Sequence, residues 1–422
     1  MGWFSNNDTH LTYRYRVRKI TFLNDGSEID VEPHRITGIE IDNNYEDNYF
    51  PIIKVSLALN TYSYYKILNV KNTCKVFLRV TKYAIKNNNP ESVTPETLVI
   101  NQSFNLIMSE GTDNIYDSVK RREETGYTKI NKDIEPITLG DENPITFYLY
   151  ADNVLTTRNI FNDIFTNVTV SDVITKILNE SKIKKVFMIP PDNINSYDEF
   201  LIPPLPLLDS LSFIDTYYGI YKSGSIIYFD FDKCYIVPYN GKPYKKISKM
   251  KDSDITNIVI PVTVGSSLSS STGNIIKADS GENFIAMNGE SLSVDNQSIT
   301  NNYIRGNDLM IIDGIDGSNT IASDARAKDI NYKNTYENKT MNDFIGSMYT
   351  SQTTAISDIV TIKLDDYDFN NIGLDKQLHL VFEDSKFLKK YAGNYILSGI
   401  RHNFYRQGME MSLSSFIMMK KT

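Results

Sequence analysis

Apolar and polar residues alternate along many stretches of this chain, and this period of two constrains its fold more than any other feature. Between Leu11 and Arg18, four apolar residues alternate with Thr12 and three arginines. Successive side chains of a β-strand point to opposite faces, so such a stretch predicts a strand with one buried and one polar face. The same pattern recurs at 53–59, 74–80, 145–149, 360–364, 378–382, 395–402 and from Met411. The chain therefore reads mostly as strands.

Turn residues divide these strands. Asn24-Asp25-Gly26-Ser27 predicts a tight turn into a strand that contains Ile29 and Val31. Asn60 can cap a short helix that ends near Leu68. Twisted antiparallel strands with little helix are typical of barrels or sandwiches, so the predicted fold class is mainly β with minor α (α+β).

The middle of the chain predicts helices followed by a hairpin. Ser171 can cap a helix whose apolar stripe runs from Val173 to Leu178. Pro206 is well placed at the start of the next helix, and Gly219 is a plausible stop. The strand at 226–231 then begins a hairpin. By composition, 262–274 is a flexible connector, and 275–345 is a polar and irregular excursion.

Charge and composition exclude several classes of protein. Lys and Arg total 44 and Asp and Glu total 52, so the net charge is −8. An acidic chain binds nucleic acid or anionic membranes poorly, since that affinity comes from neutralising phosphates. No stretch of about 18 apolar residues predicts a membrane span, and the first residues do not resemble a secretory signal. We expect neither sequence-specific nucleic-acid binding nor membrane insertion.

Two cysteines and four histidines are too few for a disulfide scaffold or a Cys/His zinc site. Cys74 and Cys234 alternate with apolar residues, which predicts buried, reduced thiols. His402 lies within a strand, where a lone histidine is usually a packed structural residue. His10 and His34 have no nucleophile signature nearby.

The acidic clusters do not favour catalysis. They are the pair Glu123 and Glu124 and the group Asp365, Asp366 and Asp368. Paired carboxylates hydrolyse glycosides only when a cleft holds them about 5 to 10 Å apart. Both clusters lie in polar surroundings, and adjacent acids on a strand point to opposite faces.

Other candidate sites also have simpler interpretations. Residues 306–317 carry Asp and Gly but no repeated nonapeptide, so they predict turns and not a calcium-binding roll. The lysines between Lys242 and Lys251 predict a solvated edge strand. No nucleotide-binding, zinc-protease or serine-hydrolase motif occurs. We expect no catalytic residues, no metal site and no cofactor, hence no enzyme.

The middle and the end of the chain resemble a known family. A leucine-rich helix after a proline-rich lead-in is followed by YYGIY at 217–221 and IYFDFD at 227–232, which resembles the helix-hairpin module of phage baseplate hub proteins. GNYILSGIRHNF at 393–404 is similar to the closing strands of those hubs, which also occur in contractile injection machines. The motifs cover about a quarter of the chain, and the order of elements covers most of it.

The resemblance implies two tail-tube-like antiparallel β-barrels, a helix-hairpin module and long loops. It divides the chain into four regions. These are a first barrel at 1–153 with a polar insertion at about 90–140, a helix-hairpin module at 154–250, a connector and excursion at 251–345, and strands that complete the second barrel at 346–422.

The function that the resemblance implies is structural. Such hubs form homotrimers that join a hexameric tail tube, or its initiator, to a trimeric central spike, and they form part of the channel for DNA and the tape measure protein. The expected location is the tail baseplate of the virion, after assembly in the host cytoplasm. Arg14, Arg16 and Arg18 do not suit a channel lining, so we expect their face at a subunit contact, where charge reversal should disrupt ring assembly.

A second class of function stays open at this point. A tail-associated protein that binds or cleaves cell-wall glycan would expose several aromatics in one groove, and the chain has 28 tyrosines. A hub instead needs a large subunit interface, more than about 2,000 Å² for an obligate oligomer. The lack of a nucleophile motif favours the hub.

Overall fold

The structure is a computed structural model. It describes residues 10–24, 27–45, 48–60, 67, 74–110, 142–152, 154, 157–183, 185–221, 225–231, 233–238, 255–261, 270–272, 275–278, 284–287, 359–383 and 391–421.

The elements in these residues are mostly strands. In chain order the strands are β1 (Leu11–Asn24), β2 (Ser27–Val31), β3 (Ile36–Asn44), β4 (Ile52–Asn60), β5 (Cys74–Lys86), β6 (Asn89–Val93), β7 (Thr97–Glu110), β8 (Glu142–Ala151), β9 (Ile160–Thr169), β10 (Lys185–Met188), β11 (Ser196–Pro206), β12 (Ser225–Asp230), β13 (Lys233–Pro238), β14 (Ile255–Ile260), β15 (Ser270–Thr272), β16 (Ile275–Lys277), β17 (Phe284–Met287), β18 (Ile359–Asp365), β19 (Gln377–Phe382), β20 (Gly393–Gln407) and β21 (Glu410–Lys421). The α-helices are α1 (Val170–Glu180) and α2 (Leu207–Phe213). Single helical turns of the 3₁₀ type lie at Pro33–Arg35 and Phe369–Asn371, and a π turn lies at Ile214–Tyr218.

Eight antiparallel strands close into a barrel. Around the barrel their order is β1, β5, β7, β8, β4, β3, β20 and β21, and β21 returns to β1 through the pair Tyr15 and Met411. Six of these strands come from the first 151 residues, and the last two come from the end of the chain. The predicted mainly β class is therefore confirmed, while the division into four regions stays a prediction. The polar insertion expected at about 90–140 is wrong in part, since β7 lies within it as a strand of the barrel.

A second array of strands shares β20 and β21 with the barrel, and its strand β15 also pairs with β1 at Leu11 and Ser271. Its order is β17, β18, β21, β20, β19, β14, β16 and β15. β20 pairs with β19 near Tyr395 and with β3 from Gly399 to Tyr405, so one strand serves both assemblies. β21 likewise pairs with β18 over Ser414–Lys420. The β20–β21 hairpin, with its register from Tyr395 to Gln407, is thus common to both assemblies.

The helices and the remaining strands form a further layer with its own core, and β12 and β13 also contribute side chains such as Tyr228 and Val237 to the main core. β9 pairs with β11, and β10, β13 and β12 form a three-stranded sheet. Val173, Ile174, Ile177 and Leu178 of α1 are buried against Phe200 and other apolar residues of this layer. Gly219, at φ +74°, ends the π turn that follows α2, so the predicted stop is confirmed.

The predicted cap of α1 was wrong by two residues. The helix begins after Thr169, whose hydroxyl accepts a hydrogen bond from the Asp172 amide at 3.3 Å, while the Asp172 carboxylate accepts from the Thr169 amide at 2.9 Å. This reciprocal pair satisfies two backbone donors, whereas Ser171 already lies inside the helix. Hydrogen bonding to Thr169 also lowers the pKa of Asp172.

Replacing Thr169 with Ala should therefore lower the free energy of unfolding by about 1 kcal/mol, because the cap is lost. Ser171→Ala is the matched control and should change it by less than about 0.5 kcal/mol. Urea denaturation followed by circular dichroism measures both. Equal effects of the two variants would contradict the assignment of the cap.

Two further predictions concern segments at the edge of the described residues. The short helix expected from Asn60 lies largely outside them, and so does most of the excursion at 275–345. The prediction of irregular structure is wrong where that excursion begins, since β16 pairs with β14 and β17 pairs with β18. Strands of three or four residues are too short to show a period, although Ile276 is fully buried.

No helix in the described part of the chain is long and apolar enough to cross a membrane.

Candidate interaction surfaces

One polar face runs without a break across both strand assemblies. It crosses β18, β21, β20, β3, β4 and β8, which are neighbours in that order. We call it the cross-strand face. Its residues in register are Lys363, Phe416, Arg401 and Asp42 in one row and Asp365, Ser414, Asn403, Glu40, Lys54 and Tyr148 in the next. The alternate residues of the same strands, among them Ile400 and Phe404, are buried in the core.

The charges of the cross-strand face are paired across strands. Arg401 Nη2 lies 2.8 Å from Asp42 Oδ2, and Lys54 Nζ lies 2.9 Å from Glu40 Oε1. The hydrogen bond that Arg401 donates to Asp42 raises the pKa of Arg401, and the bond that Lys54 donates to Glu40 raises the pKa of Lys54, so both bases stay charged. Lys363 and Asp365 form a third pair, so three cations and three anions leave these rows with little net charge. A polyanion sliding over the face would meet neither strong attraction nor strong repulsion.

Exposed apolar side chains interrupt this face. Phe416 is 48% exposed and Met418 is 37% exposed, and both lie on β21 beside the paired charges. Single exposed apolar residues are common on protein surfaces, so these two do not by themselves indicate a partner.

The turn that follows β18 joins the second array to the barrel. We call residues 366–369 the junction turn. The amide of Tyr13 donates to the Asp366 carbonyl at 2.8 Å, and the amide of Asp366 donates to the Leu413 carbonyl at 2.8 Å. The Tyr15 hydroxyl donates to the Tyr367 carbonyl at 2.7 Å and accepts from the Phe369 amide at 2.9 Å. The turn is therefore fixed to β1 and β21 by main-chain and side-chain hydrogen bonds.

Ion pairs with little solvent access hold the same turn. Lys82 on β5 pairs with Asp368, and their side chains are only 8% and 15% exposed. Arg14 on β1 pairs with Asp366, whose pKa is raised by burial although the arginine opposes that shift. A buried ion pair whose partner is removed leaves an uncompensated charge. These pairs therefore connect β1 and β5 of the barrel to the turn that follows β18.

A neutral polar cluster lies inside the protein next to the junction turn. His402 is 2% exposed, and its Nδ1 lies 3.0 Å from Ser415 Oγ and 3.3 Å from the Tyr367 hydroxyl. The Tyr367 hydroxyl donates to Ser415 Oγ at 3.0 Å. Burial lowers the pKa of His402 to about 3, so the ring is neutral at physiological pH. The prediction of a packed structural histidine is confirmed.

The three arginines of β1, for which a subunit contact was predicted, pair with acidic residues of the same chain. Arg16 lies 3.0 Å from Glu96 and 2.7 Å from Glu410, and Arg18 Nε donates to Glu96 at 2.9 Å. Together with the ion pair of Arg14 and Asp366, these contacts give each of the three arginines an acidic partner without a second subunit. A subunit contact at this face stays a prediction.

The other predicted candidates fall into three groups. Asp365, Asp366 and Asp368 each have a cationic partner, since Lys363 lies 3.1 Å from Asp365. Cys74 and Cys234 are buried free thiols, as predicted, and burial raises the pKa of both. Glu123, Glu124, residues 242–251 and residues 306–317 lie outside the described residues.

His10 and His34 do not come together. Asn87 Oδ1 accepts from the His10 main-chain amide at 2.9 Å, and His34 Nε2 lies 3.3 Å from Glu32. In the described part of the chain, no three His, Cys, Asp or Glu side chains form a group that could hold a metal.

The pairs of the junction turn are the feature that sequence reasoning missed. Lys82 and Asp368 are 286 residues apart, so no local pattern connects them. One signal in the sequence pointed to this pair. Lys82 lies within Val80–Ala84, where every other residue except Thr81 is apolar or aromatic. A lysine in such a run predicts a buried charge that needs a partner.

The described elements are a closed barrel, an array fused to it and an extended polar face. Together they define a mainly β protein whose candidate interaction surfaces are faces of its strands. The chain belongs to the family described as bacteriophage PBS1 gene 109 protein, whose model matches residues 9–422. No curated protein matches the chain.

Solved structures of tail proteins are similar to the chain over most of its length. The tail protein from Neisseria meningitidis MC58 has 10% sequence identity and a TM-score of 0.43, and the match covers 96% of each chain. The 43 kDa tail protein of prophage MuSo2 from Shewanella oneidensis has 9% identity and a TM-score of 0.44, again with 96% of each chain covered. The c3393 protein of E. coli, described as a component of the type VI secretion system, has 7% identity and a TM-score of 0.40, with 97% of this chain and 77% of that one covered.

Proposed function

We propose that this protein is a structural phage tail protein, the homotrimeric baseplate hub that joins a hexameric tail tube to a trimeric central spike. One observation carries the proposal, namely the closed eight-stranded barrel fused to a second eight-stranded array through the shared β20–β21 hairpin. Membership of a phage protein family is consistent with a location in the virion, in the tail baseplate.

The fused pair suits a connector between two symmetries. Three copies with two strand assemblies each would present six similar units to a hexameric tube, while the ring itself keeps threefold symmetry for a spike. The partners in this proposal are the tail tube or its initiator, the central spike and the tape measure protein. The role is mechanical, and no catalytic step is part of it.

The cross-strand face is the surface that we assign to the channel. Its charges are paired, as in Arg401 with Asp42, so DNA and the tape measure protein could slide past without being retained. Its strands belong to both assemblies, which a continuous lining requires.

The first test is the mass of the purified protein by light scattering coupled to size exclusion. A stable species of three times 48.2 kDa, with a ring and an open centre in negative-stain images, is the expected result. A protein that stays monomeric at micromolar concentration, and also when mixed with its tail tube and spike proteins, would contradict the hub. Binding of that monomer to peptidoglycan would then favour a cell-wall function.

The orientation of the face has its own test. A nitroxide on Phe416→Cys should give shorter distances between subunits than one on Ile194→Cys, a position that is 84% exposed outside the cross-strand face. The native cysteines are buried and should stay unlabelled. Pulsed electron paramagnetic resonance on the assembled ring measures both distances, and longer distances at position 416 would refute this orientation.

A further inference from the structure

Within the described part of the chain, the β9–β11 ribbon has an open edge. β9 and β11 form a two-stranded sheet to which no other described strand adds. The amide of Ile164, opposite Leu201 in register, donates to its neighbour Asp163 Oδ1 at 2.9 Å, so an added strand would have to replace this bond. On the inner face, Phe165 and Phe200 pack into the core of the helical layer. An open strand edge of this kind is a template for pairing with another chain.

Exposed aliphatic residues lie along this ribbon. Ile160 is 70% exposed, Ile164 is 62% exposed and Leu201 is 50% exposed, and the last two are directly opposite each other. An added strand would cover part of this apolar surface. Burying it would stabilise the complex by about 25 cal/mol for each Å² removed from water.

A groove lies beside β9 with an apolar floor and an acidic rim. Its volume is about 350 Å³. Its floor is formed by Phe165, Ile177 and Ile202, which are at most 7% exposed, and Ile160 supplies exposed apolar surface beside them. Asp163 and Glu180 are the acidic lining residues. The apolar stem and charged head of a lysine or an arginine match such a surface.

Lys176 shows this chemistry within the chain itself. Its Nζ lies 3.2 Å from Asp163 Oδ2 and 4.3 Å from the centre of the Phe165 ring. The carboxylate of Glu180 is a second acceptor on an exposed residue, and it forms no ion pair with any residue that the structure describes. The groove therefore has the chemistry to hold a further cation.

The charge of the ribbon fits a basic partner. Asp163 is the charged residue of β9, and Asp198 and Glu199 are those of β11, so the two strands carry three acids and no base. Two copies of this chain paired edge to edge through β9 would bring their acids close together, and like charges across a strand pair are destabilising. A foreign segment fits better than a second copy.

We propose that the open edge of β9 binds an extended segment of a partner protein as an added strand, in which basic side chains enter the groove and alternate with aliphatic ones. Main-chain hydrogen bonds to β9 would give affinity, and the groove would give specificity, which is the usual division in strand addition. This inference concerns a different surface from the cross-strand face and does not depend on the hub proposal.

The test uses the full chain and a panel of blocked nine-residue peptides. In the parent peptide Lys alternates with Val, in the second Glu replaces Lys, and in the third the parent is N-methylated at alternate residues to block one hydrogen-bonding edge. We expect the parent to bind in fluorescence titrations and the other two to bind at least ten times more weakly. Equal affinity for the Lys and Glu peptides would overturn the proposal, and so would undiminished affinity after N-methylation. The proposal would also be overturned if the parent peptide did not bind at about 1 mM, the weak end of specific affinities.

Variants of the protein locate the site. Glu180→Lys should weaken binding of the parent peptide at least ten-fold, and it should not unfold α1, because a cation suits the C-terminal end of a helix. Glu91→Lys on β6, also an exposed acid, is the matched control and should leave binding unchanged. Equal losses in both variants would show only a general charge effect and would overturn the assignment. If the protein self-associates and Ile164→Lys abolishes that self-association, the edge of β9 binds a second copy of the chain. This result would also overturn the proposal.

Discussion

Replacing Lys82 with Met should lower the free energy of unfolding by about 3–5 kcal/mol, because Asp368 would keep a largely buried charge without a partner. The Lys82 side chain is 8% exposed and that of Asp368 is 15% exposed, so water screens the remaining carboxylate poorly. Urea denaturation at neutral pH measures the loss. A change below about 1 kcal/mol, the usual value for a surface pair, would show that the pair is solvated in solution.

A double variant separates the ion pair from the packing. In Lys82→Met with Asp368→Asn, the uncompensated charge is gone, and the amide oxygen can still accept from the Asn370 amide, which now lies 2.9 Å from Asp368 Oδ1. This double variant should recover most of the lost stability. If it is as unstable as the single variant, the cause is lost packing of the lysine stem and not the buried charge.

Acid should destabilise the protein through His402, by up to about 1.4 kcal/mol for each pH unit below 6.5. The folded state holds the pKa of this residue at about 3 by burial, against an ordinary value of 6.5. Below pH 6.5 the unfolded chain therefore binds a proton that the folded chain does not, and stability is lost as the pH falls toward 3. Above pH 6.5 both states are neutral, and the residue adds no pH dependence.

His402→Gln is the control that isolates this contribution. It removes the titrating group, so the difference in unfolding free energy between the native protein and the variant should shrink or reverse between pH 6.5 and pH 4. Denaturation curves at several pH values supply the comparison, since other carboxylates act equally in both proteins. A parallel pH dependence in the two proteins, or an NMR titration of His402 near pH 6.5, would refute the buried neutral ring.

Local patterns predicted the strands well, because the buried and exposed faces of a half-buried strand appear in the sequence as alternating apolar and polar residues. The alternation at 53–59 became β4, and that at 395–402 became part of β20. The stop at Gly219 was also predictable, since few residues other than glycine adopt φ +74° easily. The cap at Thr169 was missed because Ser171 is an equally good candidate by residue type, and only the reciprocal bond with Asp172 separates them.

The long-range features could not be predicted from local patterns. Neither the pairing of β20 with both β3 and β19 nor the contact of Lys82 with Asp368 follows from residues close in sequence. The absence of catalytic motifs says nothing about surfaces, and the open edge of β9 depends on which strands become its neighbours. The sequence therefore predicted the class of fold and the kinds of residue at its surfaces, but not how distant segments combine.

The hairpin shared by the two assemblies also has a mechanical consequence. A force that pulls one assembly along β20 reaches the other through the same continuous polypeptide and not through a linker. The twelve register pairs between β20 and β21 would then be loaded together in shear, so that many hydrogen bonds resist at once. Such a joint would transmit a push or a twist through paired strands, and the register shift between Leu397 and Gly399 marks the point where β20 passes from one assembly to the other.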